Sequence, residues 1–150
     1  MAIYFLDSSA LVKRYVAETG SSWIGEIFTS NIDLHISAIS GAEVIAAIIR
    51  RQRRGALLAD DAARALTEFR TDWTSLFDVV KVDTAVIERA MDLAEQHGLR
   101  GSDSIQLAAA MRANAEALQS SASIVFVCAD DELNTAASAE GLQFENPNRY

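Results

Sequence analysis

The chain has 150 residues, half of them hydrophobic, which suits a folded domain and excludes a disordered one. Its formal net charge of -8 excludes nucleic-acid binding by bulk positive charge, and its single cysteine excludes an internal disulfide framework and a zinc knuckle. No apolar run approaches the roughly 20 residues that cross a bilayer, and the first residues lack the basic-then-apolar pattern of a secretion signal, so a cytoplasmic protein with no membrane partner is expected.

In chain order, Ile3, Tyr4, Phe5 and Leu6 read as a buried strand that ends on Asp7. Leu11, Val12, Tyr15 and Val16 then follow helical spacing, as do Trp23, Ile24, Ile27 and Phe28. A second strand is expected over Asp33–Ser37, and a helix with Glu43 in its first turn follows. Ala62, Leu66, Phe69 and Trp73 make another helical stripe, 77–82 a third strand, and Val86, Ile87, Ala90 and Met91 a further stripe. Asp103 opens the next helix. Ile124–Val127 is the fourth strand and runs into Asp130, and 142–144 is a weak fifth. The segments 44–49 and 105–111 are apolar nearly all round, which predicts the two deepest helices.

The strands are short, continuous and rich in Val, Ile and Phe, the pattern of a parallel sheet covered on both faces. The expected fold is one α/β domain over 1–150, a three-layer α/β/α sandwich with a parallel sheet of about five strands. In such sheets ligands bind beyond the carboxyl ends of the strands, where strand order reverses. Asp7 and Asp130 occupy two such ends and would be close if their strands are neighbours.

Each acid also has a plain structural explanation. Asp7 and Asp130 can cap helix N-termini, Ser40 to Glu43 reads as a capping box, and Asp103 suits a helix start through the dipole. Taken together, four carboxylates pointing into one crevice would repel one another and raise each other's pKa unless a cation sits among them. Oxygen donors without a His or Cys cluster point to Mg²⁺ or Mn²⁺, used to clamp a phosphate and activate water. His35, in mid-strand, His97, at a helix end, and Cys128, among apolar neighbours, are assigned structural places.

"IIRRQRRGAL" puts Arg50, Arg51, Arg53 and Arg54 together after the Glu43 helix. They suit a solvated helix end, and equally a phosphate-contacting patch on an acidic protein. Lys13, Arg14 and Arg100 lie near the expected crevice in sequence, with Arg100 the preferred single phosphate contact.

"IYFLDSSALVKRYV", "ISAISGAEVIAAIIRR", "LRGSDSIQLAAAM" and "FVCADDELNTAASAEGL", in this order, resemble a PIN-domain ribonuclease of the VapC toxin type over nearly the whole chain. The resemblance implies an Mg²⁺- or Mn²⁺-dependent endoribonuclease with Asp7, Glu43, Asp103 and Asp130 as its acidic quartet. It implies a PIN-like sandwich, an RNA substrate, a homodimer, a cognate antitoxin that blocks the site, and products with 5′-phosphate and 3′-hydroxyl ends. In that scheme Asp7, Asp103 and Asp130 hold metal, Glu43 orients water or supports a second ion, and Ser8 and Ser9 support the Asp7 cluster. Three departures stand out. Cys128 replaces a frequent Ser or Thr, Asp131 beside Asp130 offers a second fourth acid, and Ser104 and Gln106 stand where Ala and His are frequent.

Two rival readings compete. A phosphoacceptor or phosphatase-like domain also uses strand-end aspartates and Mg²⁺, but Asp7-Ser8-Ser9 and "VCADDEL" lack the acid pair and lysine of a receiver, and Ser9 stands where a phosphatase wants a second Asp. A non-catalytic binding module would use the same acids only as caps.

Overall fold

The computed structural model describes residues 2–150, with β1 at Ile3–Leu6, β2 at Asp33–Ser37, β3 at Asp78–Val80, β4 at Ile124–Val127 and β5 at Gln143–Glu145. The five strands form one parallel sheet in the order β3-β2-β1-β4-β5. The third strand is shorter than the 77–82 run predicts, and the fifth is shifted by one residue. Both lie at sheet edges, where one neighbour supplies hydrogen bonds and pairing stops early.

Seven helices connect the strands: α1 (Ser8–Leu11), α2 (Ser21–Thr29), α3 (Ser40–Arg53), α4 (Ala59–Ser75), α5 (Thr84–His97), α6 (Gly101–Gln119) and α7 (Asp131–Ala139) among the described residues. The helical pattern predicted from Leu11 to Val16 is divided. α1 ends at Leu11, and Val12–Arg14 forms a 3₁₀ turn.

Side chains on a strand alternate between faces, and the core divides accordingly. Ile3, Phe5, Ile124 and Phe126 face α5, α6 and α7, while Tyr4, Leu6 and Val127 face α1 to α4. Right-handed crossovers explain the division. The chain moves outward from β1 to β3 with α1–α4 on one face, then returns to β4 and β5 with α5–α7 on the other. Phe5 and Phe126 are partners in register, stack at 6.0 Å and are fully buried, each contributing about 1.5–3 kcal/mol by burial.

α6 is the deepest helix, with Ala108, Ala109, Ala110 and Ala113 buried, small residues that let it sit close to the sheet. α3 is less buried than its apolar run predicts, since only Ser40, Val44 and Ile48 are fully covered. On α5 the predicted stripe is rotated: Val86, Ala90 and Leu93 are buried, while Met91 is 65% exposed. Among the described residues no helix is long and apolar enough to cross a membrane.

Candidate active site

β1 and β4 are neighbours and their connections leave to opposite faces, so their carboxyl ends open the crevice that parallel sheets use for ligands. Asp7 continues β1 by one step, its N–H donating to the Val127 carbonyl at 3.0 Å. Its side chain caps α1: Oδ1 accepts from the Ala10 N–H at 3.2 Å and from Ser9 Oγ at 2.6 Å. Asp7 is only 3% exposed. Burial pushes its carboxyl up to about 7, and the nearby Asp103 charge adds to the rise, against the hydrogen bonds that favour the ionised form.

Asp130 caps α7, its Oδ1 accepting from the N–H groups of Glu132 at 2.9 Å and Leu133 at 3.2 Å. Asp103 lies in the first turn of α6 and Glu43 in the first turn of α3. All four acids line one cleft of about 580 Å³ with Ser8, Ser9, Lys13, Glu18, Arg50, Arg51, Arg100, Ser102 and Gln106. The cap reading and the shared-crevice reading of Asp7 and Asp130 therefore hold together. One carboxylate oxygen serves the helix while the residue lines the cleft.

The capping box predicted at Ser40–Glu43 does not form. Ile39 is the N-cap of α3 and makes no side-chain cap bond. Glu43 Oε1 instead accepts from Ser8 Oγ at 2.8 Å and from Gln106 Nε2 at 2.8 Å. Gln106 Nε2 also lies 2.9 Å from both Ser8 Oγ and Ser40 Oγ. Gln106 is 1% exposed, and its Oε1 is buried without a partner among the described residues. Gln106, expected only to alter the surface around the substrate, instead holds Glu43; an amide at the sixth position of a buried, alanine-rich helix was the available signal.

Asp131 does not line the cleft; it accepts from Asn146 Nδ2 at 2.8 Å and lies 3.7 Å from Arg149. Arg100 reaches across the opening, with Nε 3.3 Å from Asp103 Oδ2 and Nη2 4.0 Å from Asp130 Oδ2. Lys13, Arg50 and Arg51 line the cleft with it. Arg14 instead sits over the Phe28 ring at 5.2 Å, and Arg53 and Arg54 are exposed at the end of α3, outside the cleft lining.

Cys128 is fully buried; its Sγ accepts from the Asp130 N–H at 3.3 Å, and burial pushes the thiol up, away from a reactive thiolate. His35 Nε2 lies 3.8 Å from Asp78 and His97 Nε2 3.6 Å from Glu140, both away from the cleft.

Among the described residues no three His, Cys, Asp or Glu side chains stand close enough together to form a ready-made ligand set. The donor chemistry nonetheless fits a hard cation: the cleft offers carboxylate and hydroxyl oxygens, and the bonds from Ser9 and Ala10 to Asp7 both fall on Oδ1. Mg²⁺ is usually held by only one or two carboxylates with water completing its shell, so a converged cage is not required.

The sequence matches the family model described as "PIN domain" over residues 4–134. It is 30% identical over 143 residues to "Ribonuclease VapC45" of Mycobacterium tuberculosis (strain CDC 1551 / Oshkosh), covering 95% of this chain and 94% of that protein. The fold is similar to the crystal structure of VapBC2 from Rickettsia felis bound to a DNA fragment from their promoter. That match has a TM-score of 0.63 and 18% identity over 96% of this chain and 98% of that one. It is similar also to FitAcB from Neisseria gonorrhoeae, with a TM-score of 0.63 and 17% identity over 97% of each chain. At these identities the two structures speak for the fold alone.

Proposed function

The chain belongs to the PIN-domain family, and from that membership we propose that residues 1–150 act as a single nuclease domain, an endoribonuclease serving as the toxin of a toxin–antitoxin pair. The observation that carries the reading is the cleft itself. Asp7, Glu43, Asp103 and Asp130 come from four different elements and line one opening at the β1/β4 strand ends. Helix caps alone give no reason for four acids to share a cleft, which disfavours the non-catalytic module.

In the proposed mechanism Asp7, Asp103 and Asp130 hold Mg²⁺ or Mn²⁺. When bound, such an ion supplies the positive charge that polarises a phosphodiester and eases deprotonation of the attacking water. Asp7 would serve this task while its Oδ1 stays fixed by Ser9 and the α1 backbone. Glu43, held by Ser8 and Gln106, orients the attacking water. Arg100 contacts a phosphate once it leaves the two aspartates it now spans. Lys13, Arg50 and Arg51 give the acidic cleft one basic wall.

The same proposal includes a cytoplasmic setting, a homodimer and a cognate antitoxin that covers the cleft, in keeping with the likeness to a VapC ribonuclease. The test is cleavage of total cellular RNA by the purified protein with Mn²⁺ or Mg²⁺ and with EDTA, beside Asp7→Asn. Metal-dependent fragments that vanish in the variant are expected. Equal fragments from both proteins would remove Asp7 from the reaction.

A further inference from the structure

The cleft holds a second charged group that the acidic quartet does not explain. Lys13 lies in the 3₁₀ turn after α1, with its side chain only 8% exposed and Nζ 3.6 Å from Glu18 Oε1. Arg51 comes from the last turn of α3, where its Nη1 donates to the Ala47 carbonyl at 3.1 Å. Its Nη2 lies 3.3 and 3.1 Å from the two oxygens of Glu18. One carboxylate thus sits between two cations, and all three residues line the cleft that holds Asp7 and Glu43.

Glu18 therefore meets a cation on each side, Lys13 Nζ at 3.6 Å and Arg51 Nη2 at 3.1 Å, within the lining of the cleft. An arginine and a lysine around the two oxygens of one anion also match the non-bridging oxygens of a phosphodiester. Glu18 is well suited to give way. Its backbone is tied to Ser21 at 3.0 and 3.1 Å, while its side chain takes no hydrogen bond but that of Arg51 among the described residues. When the carboxylate swings out, two cations remain on the wall of a cleft whose other walls are acidic. A chain with a net charge of -8 needs such local compensation to bring a polyanion to its carboxylates.

We propose that Lys13 and Arg51 form a subsite for a non-scissile phosphate of the RNA, and that Glu18 fills it in the free protein and is displaced when RNA binds. The proposal rests on the nuclease reading above. It assigns Glu18 as a negative regulator of substrate affinity, which its place in an RNA-binding wall would not otherwise suggest.

The experiment is binding of a short fluorescein-labelled single-stranded RNA by anisotropy at low salt with Mg²⁺. Every protein carries Asp7→Asn so that the RNA stays intact. Adding Glu18→Gln, which keeps the side chain's size beside Lys13, is expected to tighten binding about tenfold. Arg51→Gln weakens it, and Glu18→Gln on that background gains less than about twofold, because the two residues share one interaction. Glu95→Gln, the same charge change outside the cleft lining, moves affinity by less than about twofold. Unchanged or weaker binding by Glu18→Gln, or an equal gain from Glu95→Gln, would overturn the subsite. Metal-dependent cleavage by the protein with Asp7 intact is measured in parallel. Cleavage without the Glu18 effect removes the subsite alone, whereas no cleavage and no binding removes both readings.

Discussion

Gln106 Nε2 stands 2.8 Å from Glu43 Oε1 across 63 positions of sequence, joining the buried helix α6 to the first turn of α3. The buried amide donates to one oxygen of the half-buried carboxylate, so Glu43 is held in one orientation. Gln106→Leu keeps the volume and removes the donor. The expected loss of stability is about 1–3 kcal/mol, because Ser40 and Glu43 lose a buried partner. RNA cleavage under single-turnover conditions is expected to fall more than RNA binding, since Glu43 is assigned to the attacking water. Equal losses in both would assign Gln106 to packing.

Asp7 makes the metal-free protein sensitive to pH. Its carboxyl keeps its proton up to about 7 in the folded protein, against 3.8 for an ordinary aspartate. The folded state therefore binds a proton that the unfolded chain has already released. The stability from that proton is full below about pH 4 and is lost as the pH rises through 7. Asp7→Asn removes the dependence and still accepts from Ser9 and Ala10 through its amide oxygen. With EDTA present, the variant is expected to melt above the parent at about pH 8 and close to it at about pH 4. Each kcal/mol corresponds to roughly 2–4 °C in a chain of this length. Identical melting curves at both pH values would mean that Asp7 is not a buried charge.

Added Mn²⁺ or Mg²⁺ should relieve the same burial penalty. At a hundredfold excess over Kd the stabilisation is about 2.7 kcal/mol, or roughly 5–10 °C. Asp7→Asn should reduce the shift to a small fraction. A parent protein whose melting is unmoved by saturating metal would count against the site.

Arg100 supplies the cleft with its own positive charge, spanning Asp103 at 3.3 Å and Asp130 at 4.0 Å. The side chain is 81% exposed, so Arg100→Ala should change stability by no more than about 0.5 kcal/mol. Metal affinity by calorimetric titration is expected to rise severalfold, because no guanidinium competes for the two carboxylates. RNA affinity is expected to fall. A variant that binds metal and RNA like the parent would remove Arg100 from both tasks.

Gly20 tests the fold away from the cleft. It precedes α2 with φ +87°, and a Cβ there would run into the Pro147 carbonyl. Gly20→Ala is expected to cost about 1–3 kcal/mol, read as a lower denaturation midpoint. An unchanged midpoint would mean that the C-terminal turn moves aside freely.

The rows of Val, Ile and Phe made β1, β2 and β4 legible in the sequence with the bounds they have, because a strand buried on both faces needs an unbroken apolar run. The acids that end β1 and follow β4 were legible because the apolar runs break off just before them, although Asp7 itself stays buried at the strand end. Edge strands and surface helices were read less well. Met91 satisfies helical spacing yet is exposed, because periodicity gives a stripe but not the angle at which a helix meets its neighbours.

Local chemistry along the chain thus determined the strand content, the candidate acids and the sandwich class. The tertiary structure decided the rest: that β1 and β4 are neighbours, that Asp130 rather than Asp131 lines the cleft, that Glu43 answers to Gln106 instead of its own backbone, and that Glu18 lies between Lys13 and Arg51. These contacts join elements far apart in sequence. Their distances follow from sheet order and crossover handedness, which act on the whole chain at once, and a side chain's local neighbours carry no record of them.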